Sequence, residues 1–467
     1  MKKGKRPSPS LPVEGGGKKR KKNWKEYTAT VEDIMAFIAD RVYLRYNVVT
    51  GRVESRIPDA MPPKLGGDRG LNDWMSGAGS DPQPPNLGGL WVPLNDRIVN
   101  SLWKEMSQLQ EKVVRVQDMY RVLESDFVPE YHPFRYYLEH LPPWDGQNHI
   151  LAMSVSVNVK GDVQEQMLFA EYLTKWLVGM VAGWVDDSVV NNVILVLIGE
   201  QGSYKTTWFN YLLPPELSNY FYTKTNAQRM GRDDLLTLAQ YGLVCCEELD
   251  TMRPSELNQL KAAVTMPSID ERAAYAHFHE HRKHIASFCG TGNNAQFLAD
   301  PTGNRRWLPF EVESIDSPRE HPFDYTGIYS QAYALYQQGF RFWFSRDEIL
   351  RLAIHNKQFE TPRLEHELVQ LYFRHPADRE PGEFISVALA LQMVGAGITQ
   401  KLSSVLLGRA FMELGFERRT CRNVRGYIVV RRLAEEMRSL RNVMAQESPD
   451  PTPAPDANTD TDDTVIF

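Results

Sequence analysis

The sequence predicts an α/β fold built around a phosphate-binding loop, with a helical region before it and a module of helices and a basic hairpin after it. Three observations carry this reading. Val193–Ile198 is an unbroken apolar run bounded by Gly199, as expected of a strand buried on both faces. A Gly-containing loop then leads straight into Lys205-Thr206-Thr207 and the amphipathic segment Trp208–Leu213. A second apolar run, Leu243–Cys246, stops in two carboxylates, Glu247 and Glu248, about forty residues later.

Strand, loop, Lys-Thr and helix is the order of a P-loop. Free N–H groups and the dipole at a helix start both favour an anion. Residues Gly199, Glu200, Gln201, Gly202, Ser203, Tyr204, Lys205, Thr206 and Thr207 are therefore the expected nucleotide-binding segment, with ATP and Mg²⁺ as its ligands. Lys205 would reach the β- and γ-phosphates, and the Thr206 hydroxyl would sit on Mg²⁺. The P-loop pattern asks for Gly at position 204, where a Cβ stands in the way of positive φ, and this chain has Tyr204. Gly202 is the residue expected to absorb the curvature instead. At the end of the second strand, Glu247 would hold the Mg²⁺-bound water and Glu248 would polarise the attacking water.

The chain has 467 residues and a net charge of only −6, enough length for two or three domains. Charge is unevenly spread. Residues 1–25 are strongly basic and the end of the chain is acidic and rich in Pro, Thr and Asp. Both lack the apolar residues to build a core and read as disordered. The four cysteines show no C-x-x-C spacing, which favours buried free thiols over disulfides or zinc. No apolar segment is long enough to span a bilayer and no apolar h-region opens the chain, so a cytoplasmic location is expected.

After the basic tail, residues 26–159 read as a mainly helical domain. A helical pattern covers Val31–Ile38, and a strand pair, Val42–Asn47 and Val53–Arg56, flanks a Thr50-Gly51 turn. Residues 61–90 are a Gly/Pro-rich loop, and helices resume near Asn95. A turn at Leu141–Gly146 leads to the P-loop domain, residues 160–340, with a helix over Met167–Trp184 ahead of its first strand. A helix starts at Pro254. The basic passage Arg272–His284 alternates as a hairpin does, with His277, His279 and His281 on one face. No Cys or carboxylate pattern completes a metal site there. Interleaved basic and aromatic residues suit DNA better, so His277, His279, Arg282 and Lys283 are nucleic-acid candidates. Ile285–Asn294 is another buried strand, and its end would bring Asn293 or Asn294 near the γ-phosphate.

Arg305 and Arg306 stand in a turn before a strand. They read either as an arginine finger offered to a neighbouring subunit or as a surface ion pair. Residues 363–435 read as a winged-helix-like domain. Ser403–Leu414, with Arg409, would be its recognition helix, and Arg418, Arg419, Arg422 and Arg425 would face phosphates. Residues 436–467 complete the acidic tail.

Four stretches together resemble the virulence-associated protein E-like (VapE-like) P-loop ATPases, relatives of superfamily 3 helicases. They are Pro133-Phe134 to Trp144-Asp145-Gly146, Gly199 to Thr207, Glu247-Glu248-Leu249-Asp250, and Asp300 to Trp307. The likeness covers roughly residues 90 to 315. It implies an AAA+-like core in which Lys205 and Thr206 are the Walker A pair and Glu247 and Glu248 the Walker B pair. Asn293 or Asn294 is then the sensor, Arg305 or Arg306 the finger, and the hairpin between Arg272 and Lys283 the part that grips DNA in a ring's channel. Members of this group occur on phages, plasmids and integrated elements. The implied function is an ATP-dependent DNA translocase or helicase, a homo-oligomeric ring acting on single-stranded or forked DNA during replication of such an element. The alternative is a nucleotide-switched DNA-binding regulator in which Tyr204 leaves little or no hydrolysis. No primase-sized domain precedes the loop, so primase activity is not expected.

Overall fold

The computed structural model describes residues 28–56, 91–110, 112–224, 232–271, 280–298, 304–361, 363–396, 398–399, 402–421 and 423–446. His277, His279, Arg422 and the 61–90 loop lie outside them, as do residues 1–25 and 447–467 of the tails. The chain forms two compact units. One takes residues up to Ala295 with 302–356, and the other takes 296–301 with Lys357 onward.

The first unit opens with helix α1, Val31–Arg41, started by a capping box between Thr30 and Asp33. Strands β1, Tyr43–Asn47, and β2, Arg52–Arg56, pair antiparallel about Gly51, whose φ is +66°. Next come β3 (Val92–Pro93), α2 (Asp96–Leu109), α3 (Val116–Leu123) and β4 (Glu130–Tyr131). The sheet order is β3-β2-β1-β4, so a region expected to be mainly helical contains a four-stranded sheet. Its core is its own and includes Ile34, Ile38, Leu44, Val99, Met106 and Met119.

The main sheet follows. Its elements are α4 (Pro133–Glu139), α5 (His149–Ser154), β5 (Val157–Val159), α6 (Val163–Val185), β6 (Ile194–Ile198), α7 (Lys205–Asn210), β7 (Phe221–Lys224), α8 (Arg232–Gln240) and β8 (Leu243–Cys246). They continue with α9 (Pro254–Val264), the hairpin β9 (Ser268–Glu271) and β10 (Glu280–Lys283), β11 (Ser287–Gly292), β12 (Trp307–Ile315), α10 (Tyr325–Gln337) and α11 (Arg346–His355). Six strands line up as β5-β12-β6-β11-β8-β7. All neighbours run parallel except β5, which is antiparallel to β12. Strand β7 was not legible in the sequence, so the strand ending in the two glutamates is the third parallel strand of the chain, not the second.

The core of this sheet takes in Phe134, Leu138, Ile150, Val157 and Val159 as well as β6 and α6. It therefore begins ahead of residue 160. Helix α6 is predominantly apolar and buried along most of Phe169–Trp184, as a helix largely inside a core is. Buried indoles need acceptors for their N–H groups. Trp176 donates to the Phe288 carbonyl at 2.9 Å, Trp184 to the Gly242 carbonyl at 3.3 Å, and Trp208 to Ser156 Oγ at 2.9 Å. Helix α7 stops at Asn210 rather than running to Leu213. Pro214-Pro215 follow after Tyr211–Leu213, and a proline pushes the residue before it, here Leu213, out of the helical region. The Trp144-Asp145-Gly146 turn is a clasp. Trp144 Nε1 donates to the Gln147 carbonyl, and His149 bridges Asp145 at 2.9 Å and Asp324, the cap of α10, at 3.0 Å.

The second unit contains α12 (Leu364–Tyr372), β13 (Phe373–Arg374), β14 (Glu383–Ser386), α13 (Val387–Val394), α14 (Ser404–Glu413), β15 (Arg418–Cys421), β16 (Val424–Arg431) and α15 (Ala434–Gln446). Strand β16 pairs antiparallel with β13, β14 and β15. Val369, Phe373, Ile385, Leu407, Phe411 and Val429 fill the core. Residues 436–446, expected in the acidic tail, belong to α15. Its first turn is closed by Glu436, which accepts the Leu433 N–H at 2.8 Å. Among the described residues no helix is long and apolar enough to cross a membrane.

Candidate functional site

Strands β6, β11 and β8 lie side by side and parallel, so their carboxyl ends open on one edge. Ile198 pairs with Gly292, and Cys246 with Gly290. From β6 the chain goes out to β7, returns through β8 and β11, and then crosses to β12 on the other flank of β6. The strand order thus reverses at β6. The crevice outside the carboxyl ends at such a point is where open α/β sheets bind ligands.

The loop after β6 is shaped by two glycines and one tyrosine. Gly199 donates its N–H to the Gly292 carbonyl at 3.2 Å. A Cβ at Gly199 would lie 2.8 Å from the Val312 carbonyl oxygen, so glycine is required there. Gly202 has φ +88° and Tyr204 has φ 60°, ψ 11°. Gly202 therefore does not spare Tyr204 the left-handed conformation, and both positions take it. The Tyr204 carbonyl accepts the Trp208 N–H at 2.8 Å and starts α7, and its side chain remains 47% exposed. Lys205 is buried and curls back over the loop. Its Nζ donates to the carbonyls of Gly199 (2.8 Å) and Glu200 (2.6 Å) and to Ser203 Oγ (3.1 Å). Burial lowers the pKa of this ammonium, and the negative charge of Asp250 acts against that shift. Thr206 and Thr207 are half-buried, and Glu200, Gln201 and Gly202 are exposed.

All four residues of β8 are buried. Glu247 beyond it is half-buried and donates its N–H to the Lys224 carbonyl. Glu248 is exposed and left-handed, with φ 55°. Among the described residues of the first unit, Tyr204 and Glu248 are the non-glycine residues with positive φ, and both stand on this edge. Strain of this kind concentrates at functional sites. Asn293 and Asn294 are exposed at the end of β11 on the same edge. The edge thus collects Lys205, Thr206, Glu247, Glu248, Asn293 and Asn294, with β6 and β8 two strand spacings apart, roughly 10 Å.

Arg305 and Arg306 are not part of this group. They precede β12, and Trp307 pairs with Ile194, the first residue of β6. Both arginines therefore sit at the amino edge of the sheet, a strand length away from the loop, roughly 16 Å. Arg305 is exposed, whereas Arg306 is half-buried and its pKa is lowered by burial and by Arg305. On the β9–β10 hairpin, Lys283 pairs with Ser268 and is exposed. Arg282 is half-buried, and its guanidinium packs on the backbone of Gly51 in the β1–β2 turn. Among the described residues no cluster of His, Cys, Asp or Glu is arranged to hold a metal ion by itself.

In the second unit Arg409 is half-buried on α14. On the β15–β16 hairpin, Arg418 pairs with Tyr427 and Thr420 with Arg425. Side chains alternate along a strand, so Arg418 and Arg425 share the face of Tyr427. That face turns toward α14, since the Tyr427 ring stacks on Phe411 at 4.8 Å and its hydroxyl donates to the Gly408 carbonyl. Arg419 points to the other face and pairs with Glu417 at 3.6 Å. Of the arginines expected to face phosphates, Arg418 and Arg425 therefore share one face of the hairpin and Arg419 lies on the other.

Residues 138–361 match the virulence-associated protein E-like domain. The chain carries a VapE-like domain. No curated protein matches the chain. Among solved structures, it is similar to "The apo structure of NrS-1 C terminal region (305-718)", at 10% identity and a TM-score of 0.42, covering 85% of this chain and 98% of that one. The A form of the same region gives 11% identity and a TM-score of 0.41, covering 83% and 96%. Every residue of the carboxyl edge lies inside the VapE-like domain, as do Arg305 and Arg306, and the β15–β16 hairpin lies outside it. The sequence assigns no role to one residue of the edge. Asp250, in the short turn Leu249–Thr251 after Glu248, accepts the backbone N–H groups of Asn293 and Asn294. The available signals were an acid just after a carboxylate pair and the Gly290-Thr291-Gly292 end of β11.

Proposed function

We propose that the carboxyl edge of the VapE-like domain binds ATP with Mg²⁺ and hydrolyses it, and that turnover drives movement along DNA in the replication of a phage or mobile element. One observation carries the reading. Lys205, the Glu247-Glu248 pair and the Asn293-Asn294 pair are far apart in sequence and meet on one sheet edge. The donor set fits the ligand. The Lys205 ammonium rests on two carbonyls and a hydroxyl, acceptors of the same kind that phosphate oxygens offer. Thr206 and Glu247 supply hard oxygens, and Mg²⁺ needs only one or two protein ligands beside phosphates and waters. When bound, the ion would neutralise charge developing on the phosphates.

The chain's own part is positional and electrostatic. Glu248 orients a water and takes its proton as the water oxygen bonds to the γ-phosphorus. The bond to the β–γ bridging oxygen breaks and ADP leaves with the electron pair. Lys205 stabilises the charge that spreads over the γ-oxygens. The DNA-binding part of the reading draws on the second unit. A helix, two short strands, two helices and an antiparallel hairpin follow one another, an order compatible with a winged helix, and Arg418 and Arg425 stand exposed on its wing. Duplex or single-stranded phosphates would be held there without reading sequence.

The test is ATP hydrolysis with and without DNA, for wild type and Lys205→Ala. Wild-type turnover rises with DNA, and the variant loses roughly a hundredfold or more. Equal rates overturn the proposal. A second reading, a nucleotide-switched DNA-binding regulator, is favoured by Tyr204, a bulky residue where the loop turns into α7. It predicts tight ATP binding and ATP-dependent DNA affinity without turnover.

A further inference from the structure

Asp250 uses its two carboxylate oxygens separately. Oδ1 accepts the Asn293 N–H at 3.2 Å and Oδ2 accepts the Asn294 N–H at 3.1 Å. The approach depends on the glycines of β11. A Cβ at Gly292 would lie 3.1 Å from Asp250 Oδ1, and one at Gly290 would run into Leu249 Cδ1. Leu249 is fully buried, so the 249–251 turn is keyed onto the end of β11 by one apolar and one ionic residue. The same carboxylate lies within electrostatic range of Lys205 and favours its charged form. Asp250 thus touches, through backbone bonds or through its field, all three elements that make the edge.

We propose that Asp250 is a positioning residue for triphosphate cleavage, holding the Asn293-Asn294 turn in register with the Lys205 loop and the Glu247-Glu248 pair. This rests on the ATPase reading above. The role assigned to Asp250 is positional, because each of its oxygens accepts one backbone N–H of the Asn293-Asn294 turn. Its work is to keep the amide side chains and the ammonium at a set spacing while charge builds on the phosphates.

The test compares wild type, Asp250→Asn, Asp250→Glu and Lys205→Ala in full-length protein, measuring ATP affinity, kcat and the thermal midpoint. An Asn carbonyl keeps one of the two N–H bonds, turns an N–H donor toward the other, and removes the charge. The expected result is a fall in kcat of about tenfold to a hundredfold for Asp250→Asn. ATP affinity stays close to wild type, and Asp250→Glu recovers part of the rate. Wild-type kcat in Asp250→Asn overturns the inference while leaving the ATPase reading intact. So does a parallel loss of affinity and thermal midpoint in both Asp250 variants, which would mark Asp250 as a purely structural residue. A wild type whose hydrolysis does not depend on Lys205 overturns both.

Discussion

At the scale of single residues, the site is defined by side chains and backbones in uncommon states. Tyr204 takes a φ of 60° at the start of α7, which costs a non-glycine residue about 1–2 kcal/mol. Two features hold it there: the bond from Trp208 N–H to its carbonyl, and the buried Trp208 and Phe209 behind it. A glycine at 204 removes the strain and a β-branched residue increases it. Stability measured by chemical denaturation should therefore rank Tyr204→Gly at or above wild type, and Tyr204→Val below wild type by about 1–2 kcal/mol. A valine variant as stable as wild type would mean that position 204 does not take this conformation. Lys205 is the second such residue. Its ammonium is buried and bonded to three acceptors of its own loop, so the loop is built around a charge.

At the scale of elements, the β15–β16 hairpin sorts its arginines by strand alternation. Arg418 and Arg425 share one face with the buried Tyr427, and Arg419 lies on the other with Glu417. Phosphate contacts add to affinity roughly one counterion at a time and give binding its salt dependence. If the face shared with Tyr427 meets the nucleic acid, Arg425→Ala weakens DNA binding and lowers the salt slope by about one, and Arg419→Ala leaves both nearly unchanged. Titrations of the two variants at several salt concentrations check this, and equal losses would mean that both faces of the hairpin are engaged. The β9–β10 hairpin is governed differently. Arg282 is packed against the turn at Gly51, so one of its expected DNA contacts is taken up by the fold of the chain itself.

At the scale of the whole molecule, the register of one sheet separates the two ends of the proposed reaction. Trp307 pairs with Ile194, which puts Arg305 and Arg306 at the amino edge and Lys205 at the carboxyl edge. An arginine so placed cannot serve its own loop; if it takes part in the proposed hydrolysis, it acts on another copy. Arg305→Ala should abolish turnover while leaving ATP binding in place. Mixing Arg305→Ala with Lys205→Ala should then restore partial hydrolysis, because one variant supplies the intact loop and the other the intact arginine. Two inactive variants that remain inactive when mixed would remove the arginine from the mechanism. Oligomers built in this head-to-tail way close into rings when the rotation allows.

What the sequence determined by itself is local. The apolar run at Val193–Ile198, the Gly51 hairpin, the helix start at Pro254 and the succession of helices and hairpin after residue 363 can all be read from neighbours in the chain, because hydrophobic period, turn chemistry and capping act over a few residues. The VapE-like resemblance was legible for the same reason, as short motifs in order. Strand β7, only four residues and half-buried for most of its length, left too faint a pattern to find. Only the tertiary structure decided that β11 lies between β6 and β8, that Asp250 bonds the end of β11, that Arg282 rests on Gly51, and that Arg305 lies at the opposite edge of the sheet from the loop. Strands buried on both faces carry no alternation to name their neighbours. Their order is set by packing between segments distant in the chain, and the site at their carboxyl ends is a consequence of that order.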